Sequence, residues 1–322
     1  MSRPRRDARQ PVTVEADGAA TLTVLVRRAL ELSHAKARAL VEAGAVSVDG
    51  APETGAACRP AAGSVVEIVA RPGPPPPRSR ASLEGPGFRV VHLDRDLLVV
   101  DKAPGVVTIP TSVRREDPDD PSLVALVGAT LAEAGHRVRR LFVVHRIDRE
   151  TSGLVAFARH ERGANALRRQ FRQRSPLREY LAWTEGVPEP ASGTLIHELG
   201  VEEDSPKVRV AVVGEDGRTA ELAYEVEAFR ARRAARVRVR LVTGRRNQIR
   251  VQLAASGWPI VGDRYYGAKM VGSGRAALHA CRLEFVHPGS GKQVAFVSHP
   301  AADLVRLDAR LLGARRLSPP SR

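Results

Sequence analysis

In Arg146-Ile147-Asp148-Arg149, an aspartate sits between two arginines, and these residue types at this spacing could do covalent chemistry. A carboxylate beside cations titrates below its ordinary value. Asp148 is therefore expected to stay ionised at neutral pH and to act as a nucleophile or an electrostatic anchor, not as a general acid. The same residues also fit a turn-capping aspartate flanked by solvated arginines. Apolar runs of strand length lie on both sides, Leu141-Phe142-Val143-Val144 before and Leu154-Val155-Ala156-Phe157-Ala158 after. The pattern predicts strand, exposed loop, strand, with the ionisable residues held at the rim of a sheet.

Two further stretches carry groups that could join this aspartate. In Arg178-Glu179-Tyr180-Leu181-Ala182-Trp183-Thr184-Glu185-Gly186, strand alternation puts Tyr180 with Ala182 and Thr184. A strand tyrosine is ordinarily a core residue. In Thr243 to Leu253, Ile249 and Leu253 are helically spaced, Gly257 is the stop, and Arg250 falls on the first turns, where taken alone it is one more solvated arginine. The strand before this helix alternates Arg236, Arg238 and Arg240 with Val237, Val239 and Leu241, which suggests a basic face able to track phosphates.

The 322 residues suffice for a sizeable core and two domains. Lys and Arg number 51 against 36 Asp and Glu, and the resulting +15 favours a polyanionic partner: RNA, DNA or an anionic membrane. No apolar run approaches the roughly 18 residues of a spanning helix, and the basic start leads into no apolar signal core, so a soluble cytoplasmic protein is expected, with monomer as the default. Cys58 and Cys281 stand far apart among small or apolar neighbours, which fits reduced thiols better than a disulfide or a metal site.

Along the chain, residues 1–18 read as a basic tail. Residues 19–70 read as helix, helix and hairpin, with Ser33 as an N-cap, Gly44 as a stop and Asp49-Gly50 as a turn. Residues 71–87 are rich in proline and form a semi-rigid linker, residues 88–314 form the second domain, and 315–322 are a tail. The fold class expected is α+β: a mixed, mainly antiparallel sheet with flanking helices, preceded by a small α/β module.

His145-Arg146-Ile147-Asp148-Arg149-Glu150-Thr151-Ser152-Gly153-Leu154 closely resembles the signature of the RluA-type pseudouridine synthases, RNA-modifying enzymes with an essential aspartate at this place. The strand around Tyr180 resembles their second motif and Thr243 to Leu253 their third, while Gly257-Trp258-Pro259-Ile260-Val261-Gly262-Asp263 and the residues to Gly267 are also typical. These blocks follow the family order over most of residues 88–287. Ser33 to Gly50 resembles the S-four RNA-binding module that often precedes such synthases, although Leu22-Thr23-Val24 departs from its usual Leu-Asp opening.

The resemblance implies that Asp148 is the nucleophile, that Tyr180 packs against the target base and can move a proton, and that Arg250 pairs with Asp148. Arg146, whose guanidinium can stack on bases, is expected to fill the place of an extruded uridine. Further RNA contacts are expected at Arg149, Thr151, Arg245 and Gln248, and at Arg27, Lys36 and Arg38 of the module. The isomerisation involves no net redox change and no group from elsewhere, so no cofactor and no metal is implied. The partner expected is ribosomal RNA first and transfer RNA second. Some residues depart from the family pattern: Pro104 follows Lys102 one residue late, Arg178 stands where lysine is commoner, and Asn247 and Gln252 stand where histidines are common. Neither of the last two is assigned a catalytic role. The rival readings are a catalytically silent RNA-binding protein and a hydrolase using an aspartyl nucleophile or a His145/Asp148 metal pair.

Overall fold

Alternating Val12-Thr13-Val14-Glu15 forms a strand, β1 (Val12–Glu15), although it lies inside the stretch expected to be a tail. Its partner is Val65–Ile68, register Val12 to Ile68, so the first folded unit starts earlier than its basic surroundings suggest. This is a computed structural model, describing residues 12–42, 44–68, 83–110, 119–136, 140–201, 207–211, 216–270, 272 and 274–313. The chain divides into two units, Met1–Pro77 and Arg78–Arg322. The remainder of both expected tails and most of the expected linker lie outside the described residues.

In the first unit, α1 (Leu22–Leu30) and α2 (His34–Glu42) precede β2 (Val46–Val48), β3 (Ala51–Pro52) and β4 (Val65–Ile68). The sheet order is β1-β4-β2-β3. Leu22, Val26, Ala37 and Val41 close the helices onto Val66 and Ile68. The Ser33 hydroxyl accepts from the Lys36 amide at 3.4 Å, which satisfies one of the free donors at the start of α2.

The second unit begins at β5 (Glu84–Gly85), inside the expected linker and paired with the next strand. The strands β6 (Phe88–Leu93), β7 (Leu97–Lys102), β8 (Phe142–Val143), β9 (Ser152–Ala158), β10 (Leu177–Glu185), β11 (Ser192–Val201) and β12 (Val208–Val210) follow. Then come β13 (Arg218–Arg230), β14 (Ala234–Leu241), β15 (Leu278–Val286) and β16 (Gln293–Val297). The helices are α3 (Leu123–Glu133), α4 (Glu161–Arg172), α5 (Gln248–Ala255) and α6 (Ala302–Leu312). The sheet runs β12-β11-β13-β14-β10-β15-β9-β7-β6-β5, with β16 on β15 and β8 on β9. All its pairings are antiparallel except β15 with β9. This is the mainly antiparallel α+β architecture expected, with the long strands β11 and β13 each paired on both sides.

One row across four neighbouring strands organises the unit. Gly153 of β9 faces Ala280 of β15, which faces Tyr180 of β10, which faces Val239 of β14. The parallel joint is tight: a Cβ on Gly153 would sit 2.2 Å from the Ala280 carbonyl, and its φ of +112° suits glycine alone. Opposite the step from Glu179 to Tyr180, β15 carries one extra residue, Cys281, while β10 keeps its regular alternation against β14.

Candidate active site

The loop between β8 and β9 carries Asp148, and residues from elsewhere in the unit hold three of its carbonyls. The Thr108 hydroxyl donates to Ile147 O at 2.7 Å, the Lys102 ammonium to Arg149 O at 2.8 Å, and the Arg275 guanidinium to Glu150 O at 2.8 Å. The Gly105 amide adds a bond to Arg149 O at 2.9 Å. Arg275 is itself fixed by Asp303 of α6 at 2.8 Å. An irregular loop held at successive carbonyls keeps one shape, which is what a positioned carboxylate requires.

Lys102 is 1% exposed, and burial, opposed by the nearby Glu150 carboxylate, pulls its ammonium down to about 7 from 10.5. Between these values the unfolded chain holds a proton that the folded protein has released, so stability from this group rises with pH across that window. Lys102→Met is expected to lower turnover about tenfold to a hundredfold by removing one of the two bonds that hold the Arg149 carbonyl. In thermal unfolding, wild type should gain on the variant from neutral toward alkaline pH. A difference that stays flat over that range would count against this assignment.

The Asp148 side chain is 27% exposed at the cleft floor. Its pKa lies above the ordinary carboxylate value, because burial outweighs the opposing guanidinium groups of Arg250 and Arg146. This corrects the direction expected from its flanking arginines. Arg250 Nη1 lies 3.7 Å from Asp148, but its stronger partner is Asp263, reached from Nε at 2.6 Å and from Nη2 at 2.8 Å. Asp263 is 2% exposed at the side chain, and the Tyr266 ring lies 4.9 Å from the guanidinium carbon. Arg250 is thus a fixed cation shared between two carboxylates.

Asn247 caps α5 in a left-handed conformation, φ 52°. With its amide nitrogen turned to Asp148 it donates to both carboxylate oxygens, at 3.1 and 3.3 Å, while its carbonyl accepts from the Tyr266 hydroxyl at 2.9 Å. The opposite orientation would face oxygen toward acceptors. Asn247, left without a role from sequence, is therefore a positioning residue for Asp148. Asp263 was missed as well, since nothing local in the sequence links it to Arg250.

Tyr180 is 7% exposed and lines the cleft, and its hydroxyl makes no hydrogen bond among the described residues. Burial pushes the phenol up to about 12, with Arg178 opposing, so at neutral pH it is a donor and a platform, not a base. His145 stacks on Phe171 at 4.8 Å, and its Nε2 accepts from the Ala156 amide at 2.9 Å. Burial and then Arg178 hold this imidazole down to about 3. With Nε2 taken by the Ala156 amide and its face on Phe171, the ring braces the start of the loop. The cleft has a volume of about 530 Å³, within the range of small-molecule sites.

Among the described residues, His92, Asp94 and His287 could also gather a metal. However, His287 Nδ1 accepts from the amides of Gly289 and Ser290 at 3.1 and 3.0 Å, which places its proton on Nε2, 2.8 Å from Asp94. Ligation through Nε2 would instead need Nδ1 as a donor, so the trio reads as a hydrogen-bonded cluster.

The family model for RNA pseudouridylate synthase matches residues 96–255. The chain is 36% identical over 283 residues to an uncharacterized RNA pseudouridine synthase of Mycobacterium bovis, covering 86% of this chain and 89% of that one. It is 33% identical over 214 residues to the dual-specificity RNA pseudouridine synthase RluA of Escherichia coli, covering 66% of this chain and 92% of RluA. The chain belongs to the RluA-type RNA pseudouridine synthases. The fold agrees: the structure of human RNA pseudouridylate synthase domain containing 4 superposes with a TM-score of 0.57 at 23% identity, over 72% of this chain and 94% of the other. The protein is an isomerase that converts uridine to pseudouridine in RNA.

In this synthase Asp148, Tyr180 and Arg250 meet in one cleft, with Arg146 and Arg245 on its wall. Arg146 is exposed and makes no ion pair among the described residues, while Arg245 Nε donates to Thr219 O at 3.1 Å. The other residues of this unit expected to contact RNA have these partners within the protein, Thr151 and Gln248 also lining the cleft. Arg149 turns away to pair with Asp120 and donates to Gly105 O at 3.3 Å. Thr151 is 2% exposed and ties the loop through its amide to Asp148 O at 3.1 Å. Gln248 is 2% exposed and braces the turn before α5, accepting from Thr243 Oγ1 at 2.8 Å and the Arg245 amide at 2.9 Å.

On the basic strand face two of the three arginines find acids, while Arg240 is exposed and makes no ion pair among the described residues. Arg236 pairs with Glu227 and Asp308 at 3.0 and 2.9 Å, and Arg238 pairs with Glu227 and with Glu179 at 3.5 Å, so these charges are neutralised within the protein. Sequence alternation shows which face they share but not which acids cross from other elements to meet them. In the first unit Arg27, Lys36 and Arg38 are exposed, Arg38 pairing with Glu42 at 2.7 Å. No helix among the described residues is long and apolar enough to cross a membrane.

Proposed function

We propose that Asp148 is the nucleophile of uridine isomerisation in structured RNA, with ribosomal RNA as the principal substrate. The observation that carries this reading is a partly exposed carboxylate on a cleft floor, held by Asn247 and faced by Arg250, with the Tyr180 side chain lining the same cleft. In the reaction an Asp148 oxygen attacks the nucleotide and the bond from C1′ to N1 breaks. Ring carbon C5 then bonds to C1′ as the carboxylate is released, the C5 proton leaves to solvent, and N1 takes up a proton from solvent, so the product is an isomer of the substrate. Arg250 and Asn247 keep the attacking oxygen ionised and aimed, and Tyr180 supports the ring and donates a hydrogen bond as it turns.

The target uridine must leave its stack, which costs a few kcal/mol. Arg146, exposed on the cleft wall, is suited to fill the vacated place. Arg146→Ala is expected to slow turnover at least about tenfold on folded RNA and much less on an unstructured fragment bearing the same uridine. Equal losses on both would remove that role.

The first unit, read as an S-four-like module, contributes exposed Arg27 and Lys36 as a nonspecific hold on phosphates. Pseudouridine mapping in total RNA, with and without this protein, tests the substrate. A site lost from ribosomal RNA supports the proposal; losses confined to transfer RNA replace it.

A further inference from the structure

Arg178 opens β10 on the same face as Tyr180, two residues away, and lines the same cleft. Its Nη2 donates to Val242 O at 3.3 Å and Thr243 O at 3.1 Å, and its guanidinium carbon lies 5.9 Å from the Phe171 ring. The backbone makes room for it at Gly244, where a Cβ would stand 2.5 Å from Nη1. The guanidinium is therefore held in a fixed orientation by carbonyls and a ring.

It lacks an anion. Among the described residues no carboxylate pairs with Arg178, and its Nε is enclosed without a hydrogen-bond partner. Arg236, Arg238, Arg250 and Arg275 are all matched to Asp or Glu side chains. A half-buried cation left uncompensated is unfavourable unless a ligand brings the charge. Exposed Arg172, Arg174 and Arg246 continue the lining toward solvent.

We propose that Arg178 is the binding site for the phosphodiester adjoining the target uridine, with Arg172, Arg174 and Arg246 leading the strand away from it. This rests on the cleft receiving the uridine, as proposed above. A uracil carbonyl could accept from the same fork but would leave its charge unbalanced, whereas a phosphate satisfies both the planar donors and the charge.

The test uses binding alone, in the full-length Asp148→Asn protein so that nothing turns over. The probe is a short single-stranded oligoadenylate carrying one uridine, with the phosphate on its 5′ or 3′ side replaced by an uncharged methylphosphonate. By fluorescence anisotropy, one of the two replacements should weaken binding about tenfold with Arg178 present and less than about twofold with Arg178→Met, and Arg178→Met should lower the salt slope by about one. Arg178→Lys should retain the sensitivity to methylphosphonate, which covers the case in which Arg178→Met does not fold. Equal sensitivity with and without the charge, or weaker binding at an unchanged salt slope, overturns the proposal; the second result assigns Arg178 to the base. Residual activity of Asp148→Asn would defeat the nucleophile assignment instead and leave this measurement readable.

Discussion

Asp148→Asn is expected to fold normally and to lose pseudouridine formation by about 10,000-fold or more, read as tritium release from uracil-labelled RNA. The amide keeps the size and a hydrogen-bonding oxygen but cannot attack. The pH dependence is a second readout. Because burial raises the Asp148 pKa against Arg250 and Arg146, the acid limb of kcat/KM in wild type should lie above the ordinary carboxylate value of 3.8, with activity falling as pH falls through it. The sign for stability is opposite. A carboxylate whose folded pKa exceeds its unfolded one is stabilising while protonated and loses that contribution as pH rises from 3.8 through the folded value. Asp148→Asn should therefore unfold at a higher temperature than wild type at neutral pH, with the gap closing under acid. An unchanged melting temperature at both ends, or wild-type turnover, would sink the assignment.

Arg250→Met is expected to reduce activity about a thousandfold and stability by about 3–5 kcal/mol. Asp148 and Asp263 both contact this guanidinium, so its removal leaves two anions around one vacated place. Adding Asp263→Asn to Arg250→Met should restore much of the stability and little of the activity, a non-additive pair of the kind a thermodynamic cycle detects. The acid limb offers an independent check. Arg250 lowers the Asp148 pKa and Asp263 raises it, so Asp263→Asn alone should shift the limb down and Arg250→Met should shift it up. Additive stability losses would show that Asp263 does not hold Arg250.

Much of the catalytic unit was legible because its motifs are contiguous strings. The apolar runs around Asp148, the alternation at Tyr180 and the helical spacing at Arg250 each reflect a local period, and each stands on the element expected. Reading failed where the partner was distant. Gln248 and Thr151 look like polar loop residues beside an active site, yet both are buried at its lining, Gln248 engaged by Thr243 and the Arg245 amide. Arg236 and Arg238 look like a phosphate track until Glu227, Glu179 and Asp308 arrive from β13, β10 and α6. Strand β1 was hidden differently: its alternation was present, but the arginines before it made the whole start read as tail.

By itself the sequence determined the fold class through its periodicity, and its resemblance to RluA-type motifs pointed to the reaction family and to the three residues that meet in the cleft. Periodicity and motif order are local properties that survive without coordinates. Only the tertiary structure decided that Arg250 is shared with Asp263, that Asn247 faces Asp148, and that Lys102, Thr108 and Arg275 hold the Asp148 loop. It also decided the direction of the Asp148 pKa. Charge partners and desolvation depend on which distant atoms surround a group, and an aspartate's flanking arginines say little when one turns to Asp120 and the cleft removes the water.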